Sequence, residues 1–304
     1  MSTDQLLALE SLYSRDIGKR GIAKLACATR GHLAGAAQSL ATHSSASLAI
    51  VTGFYTSKGE PPSAETDGPI GAVHLALGLR QAGIPAIIVT DEPCASAVKA
   101  AVNAVPEAIP LVVAAPTDHD LTRLRTQIVE HLPTLSHLVS IERVGPAHDG
   151  VPRNIRGEDI SGYTLALHRL FEKNFFTSRP TTIGIGDGGN EIGMGSVDAR
   201  LIAQNVLNGE QLACVTATDY LLVSGVSNWG AIALLAALAS IRSDLHGPLL
   251  RSLNRQSDLA ILKQMVWQGP SVDGVTCRQT LSVDGLQAEL HGDYIDDVLA
   301  IVMV

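Results

Sequence analysis

Short apolar runs rich in β-branched residues recur along the chain between polar stretches. They cover residues 47–53, 86–90, 109–115, 136–142, 181–186 and 212–217, and turn-forming residues bound each of them. Runs of this length and composition predict buried strands. Between them, apolar residues recur at helical spacing, as at Ile70, Val73 and Leu77 or at Leu124 and Ile128. The pattern therefore predicts six strands that alternate with helices.

This alternation favours an α/β fold. We expect a mostly parallel sheet of about six or more strands with helices on both faces, a Rossmann-like three-layer arrangement. No internal repeat or low-complexity linker interrupts the chain, so one domain over residues 1–304 is the simplest organisation. Residues 1–45 carry apolar positions at helical spacing and are expected to pack as structural helices on one edge of the sheet. Ligand-binding loops in such folds follow the carboxyl ends of strands.

Composition then narrows the classes of function. The chain has 22 Lys and Arg against 30 Asp and Glu, a net charge of -8, and no basic run, which argues against a nucleic-acid partner. No apolar run reaches the roughly 20 residues that span a bilayer, and the amino terminus is acidic where a leader peptide is basic. We expect a cytoplasmic protein without membrane contact, and leave homo-oligomer formation open. The four scattered cysteines predict reduced core thiols.

The densest chemical signal is the segment GIGDGGNEIGMG at residues 184–195, called the glycine loop below. It follows a predicted strand and precedes a helical stretch at residues 197–207. Six of its twelve residues are glycine, which permits left-handed backbone and close approach to a ligand. We therefore expect this loop to wrap a small ligand.

Three interpretations of the glycine loop stay open. Gly184, Gly186 and Gly189 satisfy the G-x-G-x-x-G pattern of a dinucleotide-binding oxidoreductase, but Asp187 and Glu191 would repel a pyrophosphate. Carboxylates beside an amide instead suit a divalent cation or a substrate ammonium. In the third interpretation, Asp187 or Asn190 only caps the following helix.

Two further segments offer groups for a charged ligand. A long loop at residues 52–72 ends with Glu65 and Asp67 just before Pro69, which is expected to open a helix; Asp67 is a ligand-site candidate or a plain helix cap. Ser227 and Asn228 begin a wholly apolar helix. Its free N–H groups could bind a substrate carboxylate, although simple capping by either side chain explains them equally well.

A fourth segment, at residues 141–161, contains Asn154 and Arg156, and the planar charged fork of arginine suits carboxylate recognition. His74, His148 and His291 lack the paired spacing of metal ligands and are interpreted as structural. The chain has no G-x-S-x-G elbow, no phosphate-binding P-loop and no cysteine with an identifiable base. Covalent nucleophilic catalysis therefore has no candidate.

Taken together, these segments resemble the D-glutamate cyclase family. The matching strings are TGF with EPPSAETDGPIGA, IERVGPAHDG, GIGDGGNEIGMG, GVSNWGAIAL and, more weakly, VDGL at residues 283–286. The chain resembles the cyclase-like C-terminal domain type, here standing alone. The resemblance implies a carbon-oxygen lyase that reversibly dehydrates D-glutamate to 5-oxo-D-proline. After VDGL the family often shows Pro and then His, whereas Gln287 and Ala288 follow here, so His291 is given no role.

The resemblance and the residues together give a site hypothesis. D-Glutamate carries one ammonium and two carboxylates, so its site needs acids or a metal at one end and donors at the other. We predict Asp187, Glu191 and Asp67 as catalytic residues, and Asp187 with Glu191 as ligands of Mn²⁺ or Mg²⁺, without a nucleotide. The predicted substrate-binding residues are Asn190, Glu65, Thr66, Gly188, Gly189, Ser227, Asn228, Asn154 and Arg156. The alternatives to this lyase are an NAD(P)-binding Rossmann-type oxidoreductase and a non-catalytic binding module for an acidic amino acid.

Overall fold

The computed structural model describes residues 2–303. The helices are α1 (Thr3–Tyr13), α2 (Ala23–Ala28), α3 (His32–Thr42), α4 (Pro69–Gln81), α5 (Ala95–Asn103), α6 (Thr122–His131), α7 (Ala199–Asn205), α8 (Gly209–Leu212), α9 (Ser227–Ile241), α10 (His246–Leu250), α11 (Arg255–Gln268) and α12 (Ala288–Val302). The strands are β1 (Leu48–Thr52), β2 (Tyr55–Thr56), β3 (Ser63–Ala64), β4 (Ala86–Asp91), β5 (Leu111–Ala114), β6 (His137–Ile141), β7 (Thr181–Gly186), β8 (Tyr220–Val223), β9 (Ser282–Val283) and β10 (Leu286–Gln287). Short 3₁₀ turns lie at Glu92–Cys94, Ser161–Tyr163 and Leu167–Phe171.

Six strands form one parallel sheet in the order β5-β4-β1-β6-β7-β8. The sheet grows outward from β1 in one direction and from β6 in the other. The order therefore reverses between these two central strands, which is where parallel α/β sheets open a crevice at their carboxyl ends. The predicted α/β class, with a mostly parallel sheet and helices on both faces, is confirmed.

Alternate residues along the central strands point to opposite faces of the sheet. Ile50 and Ile88 join the larger core, which is completed by α1, α3, α4, α5 and α9–α12. Val51 and Val89 join the second core with α6 and the 3₁₀ turn at Leu167–Phe171. Because both faces are covered, these strands are apolar throughout, which is why they were recognisable as continuous runs.

Five of the six predicted strands are confirmed within one or two residues, and the sixth is wrong. Residues 212–217 end α8 and then form an extended segment, in which Val215 N–H donates to the Pro146 carbonyl at 2.9 Å and Ala217 bridges to the glycine loop. The sixth strand is instead β8, only four residues long. Composition could not separate the two because both segments are short and apolar.

The amino-terminal segment forms three helices as expected. Helices α2 and α3 contact the edge strand β8, while α1 packs against α9 and α12. The helix predicted after the glycine loop is confirmed as α7, and Pro69 occupies the first turn of α4. No helix within residues 2–303 is long and apolar enough to cross a membrane.

All four cysteines are free, as predicted, but only two of them are core residues. Cys94 and Cys214 are buried, whereas Cys27 is exposed and Cys277 is half-buried. The prediction of core thiols is therefore wrong for Cys27 and Cys277. Scattered spacing argues against disulfides and metal sites, but it does not indicate whether a free cysteine is buried or exposed.

Candidate functional site

A cavity of about 240 Å³ opens at the carboxyl ends of β1, β6 and β7. Its floor is acidic, and its walls come from the loop after β1, the segment after β6, the glycine loop after β7 and the segment before β10. The lining residues are Arg20, Phe54, Tyr55, Thr56, Ser57, Lys58, Glu65, Glu142, Asn154, Ile155, Arg156, Asp187, Gly188, Asn190, Glu191, Gly274, Val275 and Asp284. The acidic floor lies at the place where the fold predicts a ligand site.

Asp67 and Asn228 cap each other's helices beneath the cavity. The Asp67 carboxylate accepts hydrogen bonds from the N–H groups of Ser227 and Asn228, both at 2.8 Å, at the start of α9. Asn228 Oδ1 in turn accepts from Gly68 N–H at 2.9 Å and Gly71 N–H at 2.7 Å, at the start of α4. These bonds satisfy N–H groups that each helix leaves unpaired. The first N–H groups of α9 are therefore bound to Asp67 rather than free for a substrate carboxylate.

Glu142 enters the cavity directly after β6. Its backbone φ is +46°, in the left-handed region that non-glycine residues rarely adopt. The next residue, Arg143, is buried and anchors this turn through Asp91 Oδ2 at 2.6 Å and the Gly53 carbonyl at 2.8 Å. Glu142 Oε2 accepts a hydrogen bond from Ser227 Oγ at 2.6 Å. The strained turn thereby directs a carboxylate into the cavity.

Glu191 is bound by the backbone of its own loop. Its Oε1 accepts from Asp187 N–H at 2.9 Å and Gly188 N–H at 2.5 Å, and its Oε2 accepts from Gly189 N–H at 2.8 Å. The carboxylate thus fills the nest of N–H groups that an external anion would need. We expected Glu191 to face a cation, but its partners in the structure are N–H groups of the glycine loop.

Asp187 does face positive charge. Arg20, from the loop between α1 and α2, forms ion pairs with Asp187 and with Asp284, the latter at 2.8 Å. The side chains of Asp187 and Asp284 are only 3% and 6% exposed. The structure therefore brings residues from both ends of the chain to the predicted glycine loop.

Buried Asp273 holds the segment that carries Asp284. One of its oxygens accepts from Val275 N–H at 2.9 Å and Thr276 N–H at 2.8 Å. The other accepts from Ser282 Oγ at 2.7 Å and Gly285 N–H at 2.8 Å. These four bonds fix the turn in which Asp284 lies.

Burial makes ionisation of the floor acids costly. It raises the pKa of Asp67 to about 8, with the charge of Asp284 adding to the effect. Burial also raises the pKa of Glu65, Glu142 and Asp187 well above their usual range. Neighbouring carboxylates push each of these three further upward. Burial and the neighbouring carboxylates therefore favour the protonated form of these acids, and a bound cation would oppose that effect.

Asp284 behaves in the opposite way. Burial alone would raise its pKa, but the Arg20 charge and hydrogen bonds from Asp187 and Arg20 outweigh burial and lower it. The same carboxylates raise the pKa of Arg20 against the effect of its burial. The floor therefore holds a carboxylate, Asp284, beside a carboxyl group, Asp187, that favours its protonated form.

The rim of the cavity is polar and partly basic. Lys58 forms an ion pair with Glu158, and Tyr55 stacks on Tyr163 with ring centroids 5.6 Å apart. Arg156 is exposed and lines the cavity, and its backbone N–H donates to Asn154 Oδ1 at 3.0 Å. The rim can therefore attract an anionic group, whereas the floor attracts a cation.

Most of the predicted site residues lie around this one cavity. The lining includes Glu65, Asp187, Gly188, Asn190, Glu191, Asn154 and Arg156. Thr66, Asp67, Gly189, Ser227 and Asn228 are buried directly behind the lining, where they form hydrogen bonds within the protein. Asn190 donates to the Arg153 carbonyl at 2.8 Å, and α7 is capped by Asp198, so neither Asp187 nor Asn190 caps that helix.

Three site residues were missed from the sequence: Arg20, Glu142 and Asp284. Arg20 lies in a segment that we interpreted as purely structural, and no local sequence pattern indicates that its side chain reaches the cavity. Glu142 is the last residue of the strand predicted at residues 136–142, and a carboxylate at the carboxyl end of a strand was a usable signal. Asp284 lies in the weakly matching VDGL string and could have been proposed from it.

The floor fits a divalent cation by its donor chemistry. Among residues 2–303, Asp67, Asp187 and Asp284 each offer one oxygen, and these oxygens lie within 4.8 Å of one another; Glu142, Asp187 and Glu191 form a second such group. Asp284 Oδ2 is buried and has no hydrogen-bond partner within the described part of the chain. Hard oxygen ligands of this kind suit Mg²⁺ or Mn²⁺. Both Asp67 oxygens accept backbone N–H groups, as both Glu191 oxygens do, so the first group is favoured only by the buried Asp284 Oδ2.

The same contacts weigh against a dinucleotide at this loop. A pyrophosphate would have to replace the Glu191 carboxylate on the N–H groups of residues 187–189 and would lie beside buried Asp187. Both changes are unfavourable for an anion.

Comparison with known proteins identifies the family of this chain. A family model described as "D-glutamate cyclase-like, C-terminal" matches residues 9–299. The chain is also 32% identical over 259 residues to the mitochondrial D-glutamate cyclase of Homo sapiens; the match covers 82% of this chain and 41% of that protein. Because the family model spans nearly the whole chain, this protein belongs to the D-glutamate cyclase-like, C-terminal family.

Proposed function

We propose that this protein is a carbon-oxygen lyase that reversibly converts D-glutamate to 5-oxo-D-proline and water. The observation that carries the proposal is the acidic floor of the cavity, where ionised Asp284 lies beside protonation-prone Asp187. Membership of the D-glutamate cyclase-like family and the printed name of the human relative support the same reaction.

The charges of the cavity suit the two ends of the substrate. The ammonium of D-glutamate is attracted to the floor carboxylates, and Arg156 with Asn154 at the rim is placed to bind the α-carboxylate. This orientation directs the γ-carboxyl group inward with the amine. Binding at two ends brings the amine and the carbon of the γ-carboxyl group together, which favours ring closure.

Ring closure requires proton transfers that these acids can perform. Asp284 accepts a proton from the ammonium, a floor carboxyl such as Asp187 or Glu142 protonates the γ-carboxylate, and the free amine attacks the carbon of this carboxyl group to form a tetrahedral intermediate. The nitrogen then returns its second proton to the floor carboxylate, and protonated Asp284 gives its proton to the departing hydroxyl as the C–O bond breaks, which releases water. Pairs of acids with divergent pKa values are typical of such acid and base roles. The reverse steps hydrolyse the lactam.

The excess of acids over basic groups on the floor favours a divalent cation as a cofactor. Six acids, Glu65, Asp67, Glu142, Asp187, Glu191 and Asp284, lie at or beneath the floor, where Arg20 pairs with Asp187 and Asp284, and the substrate adds two carboxylates. Mn²⁺ or Mg²⁺ held by Asp67, Asp187 and Asp284 would neutralise this charge and polarise a carboxyl oxygen when bound. Glu142 and Arg156 would keep their positions around the substrate.

A direct assay tests the proposed reaction. Purified protein is incubated with D-glutamate or L-glutamate, and separately with 5-oxo-D-proline, in the presence of EDTA, Mn²⁺ or Mg²⁺, and mass spectrometry follows the loss or gain of water. We expect lactam formation and lactam hydrolysis with the D-enantiomers. If all conditions leave both compounds unchanged while D-glutamate raises the thermal stability of the protein, the chain is a binding module and not an enzyme.

A further inference from the structure

Arg20 reaches the acidic floor from a loop that is itself tightly held. Asp16 accepts hydrogen bonds from Arg20 N–H at 2.7 Å and Gly21 N–H at 2.9 Å. Gly21 has a φ of +85°, and a Cβ there would lie 1.8 Å from the Asn205 carbonyl oxygen. The backbone at Arg20 is therefore fixed, and any movement of its charge must come from its long side chain.

The guanidinium of Arg20 bridges two carboxylates that also belong to the cation-binding group. Its Nη1 contacts Asp187 Oδ2, and its Nη2 contacts Asp284 Oδ1 at 2.8 Å. Asp187 and Asp284, with Asp67, supply the three oxygens that lie within 4.8 Å of one another. Asp284 Oδ2 is buried, on a side chain only 6% exposed, and none of residues 2–303 provides it with a hydrogen-bond partner. Arg20 thus satisfies this group only in part.

We propose that Arg20 and a divalent cation compete for Asp187 and Asp284, so that cation binding releases the Arg20 guanidinium into the cavity, where it binds a substrate carboxylate. This inference rests on the proposed function for the identity of that carboxylate. The competition itself concerns only the protein and the cation.

Charge and geometry both lead to this exchange. Asp187 and Asp284 cannot bind a guanidinium and a divalent cation at the same time, because the two positive groups would repel each other at this short distance. The divalent cation carries more charge and matches hard oxygen ligands better than Arg20 does. The Arg20 side chain lines the cavity and is 19% exposed, so release does not require the loop to unfold. A free guanidinium is well suited to a carboxylate.

Cation binding in the absence of substrate tests the proposal. Mn²⁺ titrations followed by electron paramagnetic resonance compare the wild type with Arg20→Gln and with Arg15→Gln, which changes an exposed arginine of the same loop. We expect Arg20→Gln to bind Mn²⁺ about tenfold more tightly, since the competing ion pairs are gone, and Arg15→Gln to match the wild type. Asp284→Asn should lose most of the affinity.

Equal or weaker Mn²⁺ binding by Arg20→Gln would overturn the competition, as would the absence of Mn²⁺ binding by every variant. If Arg20→Gln does not fold, Arg20→Lys replaces it, because one ammonium cannot bridge both carboxylates as the guanidinium does; it too should bind Mn²⁺ more tightly than the wild type.

A measurement on the unmodified protein gives a second readout. The Nε–H resonance of Arg20, assigned by its loss in Arg20→Lys, should shift when diamagnetic Mg²⁺ is added, and an unchanged resonance at saturating Mg²⁺ would contradict release. Because neither titration contains glutamate, failure of the cyclase assay and failure of the exchange are separate results.

Discussion

Asp187 and Glu191 lie four residues apart in one glycine loop, yet their carboxylates meet different partners. Glu191 receives three backbone N–H groups, and Asp187 receives a guanidinium from a distant loop. Hydrogen bonds from the backbone stabilise a buried carboxylate without making it available to a ligand. Asp187 lines the cavity with its charge balanced by a side chain that can move. Of the two, Asp187 is therefore better placed for chemistry, and Glu191 shapes the loop.

Replacing Asp187 with Asn should lower D-glutamate turnover by at least about a hundredfold, the usual scale for losing a positioned acid or base. The change removes one of the two carboxylates paired with Arg20 but also removes a charge that burial disfavours, so the two effects on the free energy of unfolding oppose each other and the fold should be retained. Turnover is measured by lactam formation, and stability by urea unfolding.

Asp149→Asn is the matched control, since Asp149 is a surface acid that pairs with Arg153 outside the cavity lining. It should retain wild-type turnover. Normal turnover in Asp187→Asn would remove Asp187 from the mechanism.

Helices α4 and α9 are joined at their amino termini rather than capped separately. Each receives its cap from the partner: Asp67 precedes α4 but binds the start of α9, and Asn228 of α9 binds the start of α4. Such exchange requires close packing, and a Cβ at Gly71 would lie 2.8 Å from Asn228 Cα. The crossed caps therefore fix the two helices that support the floor of the cavity.

Replacing Asn228 with Ala should lower the free energy of unfolding by about 2 kcal/mol or more, because two buried N–H groups of α4 lose their acceptor. Asn254→Ala is the comparison: it removes the ordinary cap of α11, a bond to Ser257 N–H at 2.9 Å, and should cost about 1 kcal/mol. Both are measured by urea unfolding. A smaller loss at Asn228 than at Asn254 would show that the crossed cap adds no stability.

At the scale of the whole molecule, the fold was more predictable than the site. Buried parallel strands are apolar on both faces, so β1, β4, β6 and β7 were recognisable from composition alone. The glycine loop was recognisable from its unusually high content of glycine. The partners of its acids could not be predicted, because Arg20 and Asp284 reach the loop only through tertiary packing. The spacing of residues in the sequence also does not indicate which N–H groups donate hydrogen bonds to Glu191.

The accumulation of buried acids also governs how the whole molecule responds to pH. The folded pKa of Asp67, about 8, and the raised pKa values of Glu65, Glu142 and Asp187 exceed their values in an unfolded chain. Between about pH 4 and pH 8, the folded state thus binds more protons than the unfolded state. The stability of the metal-free protein should therefore fall as pH rises through this window, by up to about 1.4 kcal/mol per pH unit for each such group.

Thermal unfolding in EDTA across this pH range measures the effect. Asp187→Asn should show a shallower fall because one of the titrating acids is gone, and saturating Mg²⁺ should flatten the profile of the wild type. A metal-free protein that becomes more stable between pH 5 and pH 8 would contradict the assignment of these acids as protonated.

The ion pairs of Arg20 join residues near opposite ends of the chain. During synthesis, residue 20 leaves the ribosome long before residue 284, and the helices around it can form while the floor of the cavity still lacks one of its acids. Contacts so distant in sequence form late in folding. The cavity can therefore be completed only after residue 284 has been synthesised, so a nascent chain that has not yet reached this residue lacks a complete ligand site.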